Sequence, residues 1–196
     1  MKKDKDKFYN FSKKIFNIIF KKFYKVQFIG LENIPKEGPI IIAGNHNHYF
    51  DPCLVFIATD RKINYVMKKS CYNNKLIGWI FKKMDCLSVE NYSSMKSALH
   101  ILNNNGAIGI FPEGTRNKTH ELLLPFRTGT ASMASKTNSY IIPFGRTGSF
   151  NLFKRTLIIR FGKPFKVDNM SLQEATNKLK NEVEKLMKLN LENNNY

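Results

Sequence analysis

At 196 residues the chain is long enough to bury a core of its own and short enough to be one domain. Lysine and arginine number 32 against 15 acids, a formal charge of +17, so the field around the protein draws polyanions: nucleic acid, anionic lipid surfaces or phosphorylated substrates. Cys53, Cys71 and Cys86 stand at unmatched spacings, which excludes a disulfide framework and agrees with a reducing cytosolic compartment.

From Phe8 to Lys25 apolar and basic residues recur at helical spacing. Phe8, Phe11, Ile15, Ile18, Ile19 and Phe23 form one row, with Lys13, Lys14, Lys21 and Lys22 among them; Tyr9, Phe16, Phe20 and Tyr24 form a second. A basic, aromatic-rich amphipathic helix has the composition of an element lying in a membrane interface, where each basic residue near an anionic surface is worth about 1 kcal/mol. A helix packed on the protein's own core fits the same letters, and two apolar rows allow both. Lysines interrupt the stretch and no small-residue cleavage site follows, so a signal peptide is not expected. No run reaches the ~18 apolar residues of a spanning helix.

Val26 to Ile29 reads as a strand and Asn33 to Pro39 as a polar turn region. Ile40 to Ala43, bounded by Pro39 and Gly44, reads as a short buried strand that runs into His46. Asp51-Pro52 ahead of Leu54 to Ala58 has the form of a helix start, with the aspartate at the N-cap and proline at the first helical position. A turn of that length can return a carboxylate to an imidazole nitrogen, which is what fixes the tautomer of a histidine base. Asp51 as a plain cap and His46 as a loop histidine remain alternatives. A metal on His46, His48 and Asp51 is not expected, because His100 and His120 are isolated and no cysteine pair stands at zinc spacing.

Ile63 to Met67 reads as a strand ending in Lys68-Lys69. Tyr92 to Asn103, with Met95, Ala98, Leu99 and Leu102, reads as an amphipathic helix ended by Gly106 in a left-handed conformation. The next strand, Gly106 to Phe111, empties into Pro112-Glu113-Gly114-Thr115-Arg116. Pro112 and Gly114 force a sharp turn carrying a carboxylate and a guanidinium at the strand's C-terminal end, the edge where open α/β sheets hold ligands. Arginine's planar fork suits phosphate or carboxylate, although a solvated surface pair fits too. Leu122 to Ala131 leads into another helix, and Ile141 to Phe144 and Leu157 to Phe161 read as two further strands, closed by Gly162-Lys163-Pro164. A last helix, Ser171 to Leu189, opens on the capping box Ser171 and Glu174 and carries Leu172, Ala175, Leu179, Val183 and Leu186; Asn190 to Tyr196 reads as frayed.

Asn45-His46 with Asp51, followed downstream by Phe111-Pro112-Glu113-Gly114-Thr115-Arg116, resembles the glycerolipid acyltransferase family, and most of all its small bacterial 1-acyl-glycerol-3-phosphate acyltransferases. The resemblance runs from Val26 to Pro164. Phe28 to Pro39 is similar to the family's lead-in to the first motif, Arg127-Thr128-Gly129 to its Lys/Arg-x-Gly turn, and Tyr140 to Gly145 to its fourth motif. It implies a single α/β domain with a mostly parallel or mixed central sheet flanked by helices, glycerol-3-phosphate acyltransferase-like, carrying an N-terminal amphipathic helix: residues 1–25 a membrane-interface helix and residues 26–190 the acyltransferase domain.

The implied reaction moves a fatty acyl group from a thioester, acyl-CoA or acyl-carrier protein, to the free hydroxyl of 1-acyl-glycerol 3-phosphate. His46 would be the general base and Asp51 its orienter; a histidine's ordinary pKa of about 6.5 suits such work near neutrality. Lys68 and Arg116 would bind the acceptor's phosphate, Glu113 and Gly114 would shape the turn around the glycerol, and Thr115 would be among the substrate-binding residues. Lys68 corresponds to a family lysine that precedes a helix and a Gly-aromatic pair, here Gly78-Trp79. The chain departs from the family at Val89-Glu90-Asn91, where relatives often read Val-Asp-Arg, so Asn91 offers a hydrogen bond but no charge. No Gly-x-Ser-x-Gly elbow is present, which favours direct attack by the acceptor hydroxyl over an acyl-enzyme; Cys53 is the alternative nucleophile. No cofactor beyond the acyl thioester is implied. The implied location is the cytoplasmic face of the cell membrane, held peripherally. Acylation of glycerol 3-phosphate or another lysolipid remains open. So does a non-catalytic basic membrane- or nucleic-acid-binding protein, though no nucleic-acid module is recognisable and nucleic acid is not an expected partner.

Overall fold

The largely apolar runs Val26 to Ile29, Ile40 to Ala43, Ala107 to Ile110, Ile141 to Phe144 and Leu157 to Phe161, each bounded by a proline or a glycine, become strands of one sheet. The computed structural model describes residues 2–68, 73, 83, 86–89, 92–151 and 156–192. Among them α1 (Lys2–Phe23) leads into β1 (Lys25–Ile29), a 3-10 turn (Leu31–Asn33), β2 (Ile40–Gly44), α2 (Asp51–Ala58) and β3 (Ile63–Lys68). Then come β4 (Leu87–Val89), α3 (Tyr92–Asn103), β5 (Ala107–Ile110), α4 (Gly129–Thr137), β6 (Tyr140–Gly148), β7 (Thr156–Phe161) and α5 (Leu172–Glu192). Lys69, Gly78, Trp79, Glu90 and Asn91 lie outside the described residues, so the second-motif region is not placed.

The seven strands lie in the order β1-β7-β6-β2-β5-β3-β4, and every neighbouring pair is parallel except β6 with β7. The sheet is therefore mixed, with β6, β2, β5, β3 and β4 running one way. Strand β2 sits at its centre with all five residues buried, as expected of a strand covered on both faces. Its side chains alternate. Ile40 and Ile42 pack in a layer with Leu54, Val55 and Phe56 of α2 and Tyr9 and Phe20 of α1. Ile41 and Ala43 face Ala98 and Leu102 of α3, Met133 and Ala134 of α4, and Leu179 and Val183 of α5. Each fully buried isoleucine here contributes about 1.5–3 kcal/mol relative to exposure, and a one-residue slip of β2 would put every one of these side chains on the wrong face.

The two apolar rows of α1 part company. Tyr9 and Phe20 are 3% exposed, whereas Phe11 is 61% and Ile18 is 65% exposed. The inner row packs edge-on against α2, Tyr9 to Phe56 at 4.7 Å and Phe16 to Phe56 at 6.1 Å between ring centroids. The Tyr9 hydroxyl accepts the Ile63 N–H at 2.8 Å, which ties the helix to the start of β3. Lys13, grouped by sequence with the outward lysines, turns inward to Asp60 at 2.9 Å, while Lys14, Lys21 and Lys22 stay exposed. Among the described residues, no helix is long and apolar enough to cross a membrane.

Three local expectations are corrected. The left-handed residue ending α3 is Asn105, with φ 58°, and not Gly106. Gly106 is required by close approach instead, since a Cβ there would lie 2.4 Å from the Ile101 side chain. The stretch from Asn190 is not frayed at its start: α5 runs to Glu192, and Asn190 is fully buried, donating to the Gly145 carbonyl at 2.9 Å and accepting from Arg160. Strand β6 runs on past Phe144 to Gly148, and that extension matters to the site. The capping box forms as read, with Glu174 N–H donating to the Ser171 hydroxyl and Ser171 N–H to the Glu174 carboxylate.

Candidate active site

Four parallel strands end at one edge of the sheet. The register sets Ala43 beside Ile110 and Gly44 beside Phe144, so the residues just past β2, just past β5 and near the end of β6 emerge together. Those residues are His46, Glu113 and Arg146. Strand β3, parallel to β5, brings the Lys68 backbone to the same edge.

The His46 Nδ1 lies 3.0 Å from Asp51 Oδ2. That oxygen also accepts the main-chain N–H groups of Asn47 and His48, each at 2.7 Å. Asp51 is therefore not an N-cap. It is the first residue of α2, Phe50 occupies the cap position without a side-chain bond, and the carboxylate folds back into the loop that precedes the helix. Its other oxygen, Oδ1, lies 2.9 Å from Arg146 Nη2, and the Asp51 side chain has no exposed surface. Burial by itself pushes the Asp51 carboxyl up; the His46 hydrogen bond, the Arg146 guanidinium and the His48 amide outweigh it and hold the group below the ordinary carboxylate range. Asp51 thus stays ionised.

The His46 ring is fixed on its other sides. It stacks on Phe111 with centroids 4.1 Å apart. Its main-chain N–H donates to Glu113 Oε1 at 2.7 Å, and its carbonyl accepts the Asn117 N–H at 2.6 Å. Glu113 is buried and its second oxygen accepts the Leu124 N–H at 3.0 Å. Burial pushes its carboxyl up, against the pull of those two amides. Glu113 thus joins the loop after β5 to the loop after β2. With Nδ1 held by an anion, the imidazole's Nε2 is the nitrogen left to exchange a proton with a substrate.

Arg116 reaches the same loop from the other motif, its guanidinium carbon 3.4 Å from the centre of the Tyr49 ring. A guanidinium stacked on a ring keeps its N–H fork for an anion, and among the described residues no carboxylate pairs with it. Gly114 sits at φ 67°, and a Cβ there would lie 2.9 Å from Arg127 Nε, so glycine lets a second guanidinium close over the turn. Thr115 is exposed at this turn. The Lys68 side chain lies outside the described residues. His48, set aside as an unsupported metal ligand, stacks on Phe150 at 4.1 Å, and burial lowers its pKa despite the opposing pull of Asp51, with Arg146, Arg116 and His46 adding to the fall. Burial pushes the Cys53 thiol up to about 12, which removes the thiolate an acyl-enzyme would need.

Sequence reading missed Arg146. Its signal was available, a charged residue directly after the apolar run Tyr140 to Gly145, but nothing in the letters says that it turns inward.

The residues so arranged, His46, Asp51 and Arg146, fall within a family match: the family model for acyltransferases covers residues 25–147. The chain belongs to the acyltransferase family. This acyltransferase-family chain is 33% identical over 146 residues to the 1-acyl-sn-glycerol-3-phosphate acyltransferase of Borreliella burgdorferi, covering 70% of the chain and 57% of that relative. It is 28% identical over 132 residues to the enzyme of the same name from Bacillus subtilis, covering 63% of the chain and 65% of that relative. The chain thus spans less than two thirds of the length of these relatives. In fold it is similar to the crystal structure of the 1-acyl-sn-glycerophosphate (LPA) acyltransferase PlsC from Thermotoga maritima, with a TM-score of 0.78 at 19% identity, covering 92% of this chain and 78% of that one. The acyltransferase match runs from the start of β1 to the last residue but one of β6 and so includes His46, Asp51, Glu113, Arg116 and Arg146.

Proposed function

We propose that the chain transfers a fatty acyl group from an acyl thioester to the free hydroxyl of a 1-acyl-glycerol 3-phosphate, giving phosphatidic acid. The observation that carries this reading is the His46 Nδ1 to Asp51 Oδ2 contact of 3.0 Å at the sheet edge that also presents Arg116. The names of the relatives support the acceptor. His46 Nε2 takes the proton as the acceptor oxygen attacks the thioester carbonyl. The tetrahedral intermediate collapses, the C–S bond breaks, and the departing thiolate takes the proton back from the imidazolium, which Asp51 has steadied meanwhile. Arg116 holds the acceptor's phosphate, with Lys68 as a second cation at the same edge, and acyl-CoA or acyl-carrier protein delivers the donor.

The protein works, in this reading, as a peripheral protein on the cytoplasmic face of the cell membrane. Two features support it. The outer row of α1 exposes Phe11, Ile15, Ile18, Ile19 and Phe23 beside Lys14, Lys21 and Lys22. Tyr49 and Phe50, in the loop between His46 and Asp51, are 61% and 45% exposed, and Phe50 lies 6.4 Å from Phe20 of α1 between ring centroids. Helix and loop are thus neighbours through Phe20, and in this reading one bilayer surface engages the exposed residues of both.

The test is turnover by purified protein with lysophosphatidate and an acyl thioester, beside His46→Ala. Turnover that disappears in the variant supports the enzyme; a parent that binds lipid without turnover identifies a binding protein instead. Turnover on glycerol 3-phosphate with none on lysophosphatidate would move the acceptor one step earlier.

A further inference from the structure

We infer that Arg146 is a positioning residue of the site, the group that locks the Asp51 carboxylate in the one orientation in which it can hold His46. The inference rests on the acyl-transfer reading above and assigns a residue that neither motif contains.

The two oxygens of Asp51 are used differently. Oδ2 takes His46 Nδ1 and the amides of Asn47 and His48, whereas Oδ1 has the Arg146 guanidinium as its charged partner, 2.9 Å away. Rotating the carboxylate would trade three N–H donors against one cation, and with both oxygens occupied neither is free to move. Arg146 is itself immobile. Its side chain is 5% exposed, and Nη1 donates to the Gly148 carbonyl at 2.7 Å. Its main chain is clamped by Asn45, which accepts the Arg146 N–H at 2.7 Å and donates to the Arg146 carbonyl at 2.9 Å. Asn45 directly precedes His46, so a single buried amide fixes the base's strand and the arginine's strand to each other. The guanidinium also lies 5.3 Å from the centre of the Phe150 ring, which covers it. It is sealed from solvent with its charge against Asp51, so it acts through Asp51 and not by contact with the reacting atoms.

Arginine suits the place because it stays charged throughout any working pH range, and while one N–H is directed at the Gly148 carbonyl the rest of the guanidinium sets its charge against the carboxylate. The charged and titratable groups around Asp51 are His46 and His48 from its own loop, Cys53 from α2, Glu113 from the loop after β5 and Arg146 from β6. Arg146 is the permanent cation of that set.

The test compares Arg146→Lys, Arg146→Met, Asp51→Asn and the double variant Asp51→Asn/Arg146→Met. Arg146→Met is expected to lower kcat roughly 10- to 100-fold, the range for partners that orient a reacting ligand, while the apparent KM for lysophosphatidate stays within about threefold. The acid limb of its kcat–pH profile is expected to move to higher pH, because Asp51 protonates more readily without the cation. Arg146→Lys is expected to recover part of the rate. The double variant removes both charges from the interior and leaves neither stranded, so it also answers the case in which Arg146→Met alone does not fold. If Arg146 works through Asp51, the double variant turns over no more slowly than Asp51→Asn. Independent losses that multiply in the double variant, or an acid limb that stays in place, would overturn the inference. A readout free of turnover separates this from a failure of the acyltransferase reading. The downfield proton NMR signal of the His46 Nδ1–H, identified by its loss in His46→Ala, is expected in the parent and in Arg146→Lys, and shifted or lost in Arg146→Met. An unchanged signal in a folded Arg146→Met protein would refute the positioning role, whether or not the parent turns over lysophosphatidate.

Discussion

The carboxylate of Glu113 accepts the main-chain N–H of His46 at 2.7 Å, across 67 residues of sequence. Its other oxygen takes the Leu124 N–H, so one buried acid staples the loop bearing the base to the two segments that flank the Arg116 turn. Replacing Glu113 with alanine strands two buried amide donors at a cost of about 1–3 kcal/mol each. Glu113→Ala is therefore expected to lower the urea midpoint markedly and to lower kcat as the His46 loop loosens. Equilibrium unfolding followed by circular dichroism checks the first effect, and a variant as stable as the parent would show that the staple contributes nothing.

Asp51→Asn keeps the shape of the loop but gives His46 a neutral partner. Turnover is expected to fall by two orders of magnitude or more, with lysophosphatidate binding nearly unchanged; an unaltered rate would reduce Asp51 to a structural role.

The same residue makes a prediction about acid stability. The folded-state pKa of Asp51 lies below its unfolded value, which is about 3.9. Its stabilising contribution is therefore present above that unfolded value and is lost as the pH falls through the folded one. The Tm difference between the parent and Asp51→Asn is expected to be largest near neutrality and to narrow below about pH 4. A difference that grows on acidification would reverse the sign argued here.

Arg116→Ala is expected to raise the apparent KM for the acceptor. A hydrogen bond to a charged group is worth about 1.5–3 kcal/mol, which corresponds to roughly 10- to 150-fold. Arg116→Lys should recover little of this, because an ammonium loses both the fork and the stacking on Tyr49. Steady-state kinetics with each substrate varied in turn checks the assignment: a change confined to the donor's constant places the phosphate elsewhere.

Membrane attachment is best probed on the outer row of α1, since deleting the helix would also strip Tyr9 and Phe20 from the core. Lys14→Ala, Lys21→Ala and Lys22→Ala are each expected to weaken binding to anionic vesicles by about 1 kcal/mol, roughly fivefold, at low salt, with the effect fading in high salt. Phe11→Ser with Ile18→Ser should weaken it at any salt while the Tm stays put. Vesicle sedimentation that ignores all five changes would put the lipid-facing surface on another part of the protein.

What the letters disclosed follows a physical divide. Ile40 to Ala43 declared itself as a strand because burial on both faces demands an unbroken apolar run, Ile63 to Met67 and Leu157 to Phe161 are apolar apart from one polar residue each, Asn64 and Arg160, and the capping box at Ser171 is a matter of four consecutive residues. His46, Asp51 and Arg116 were legible through short motifs. The inward turn of Arg146, the burial of Asn190 and the bridging use of Glu113 depend on partners brought in from 30 to 101 residues away, which no local pattern encodes. Asp51 shows the same divide at close range: a cap and an orienter use the same letters, and only the direction of the carboxylate tells them apart. The short β4 was missed because three residues give too few alternations to count.

The pairing of β1 with β7 joins Lys25 to Thr156 at the start of its register. The strand that follows the amphipathic helix is synthesised 131 positions ahead of its pairing partner, Lys25 against Thr156, so this edge of the sheet closes through a long-range contact. The inner row of α1 can find Phe56 of α2 early, whereas β1 must wait for β7. One flank of the helix–strand unit is thus secured by near neighbours and the other by distant ones, which makes the β1–β7 seam a late step in folding.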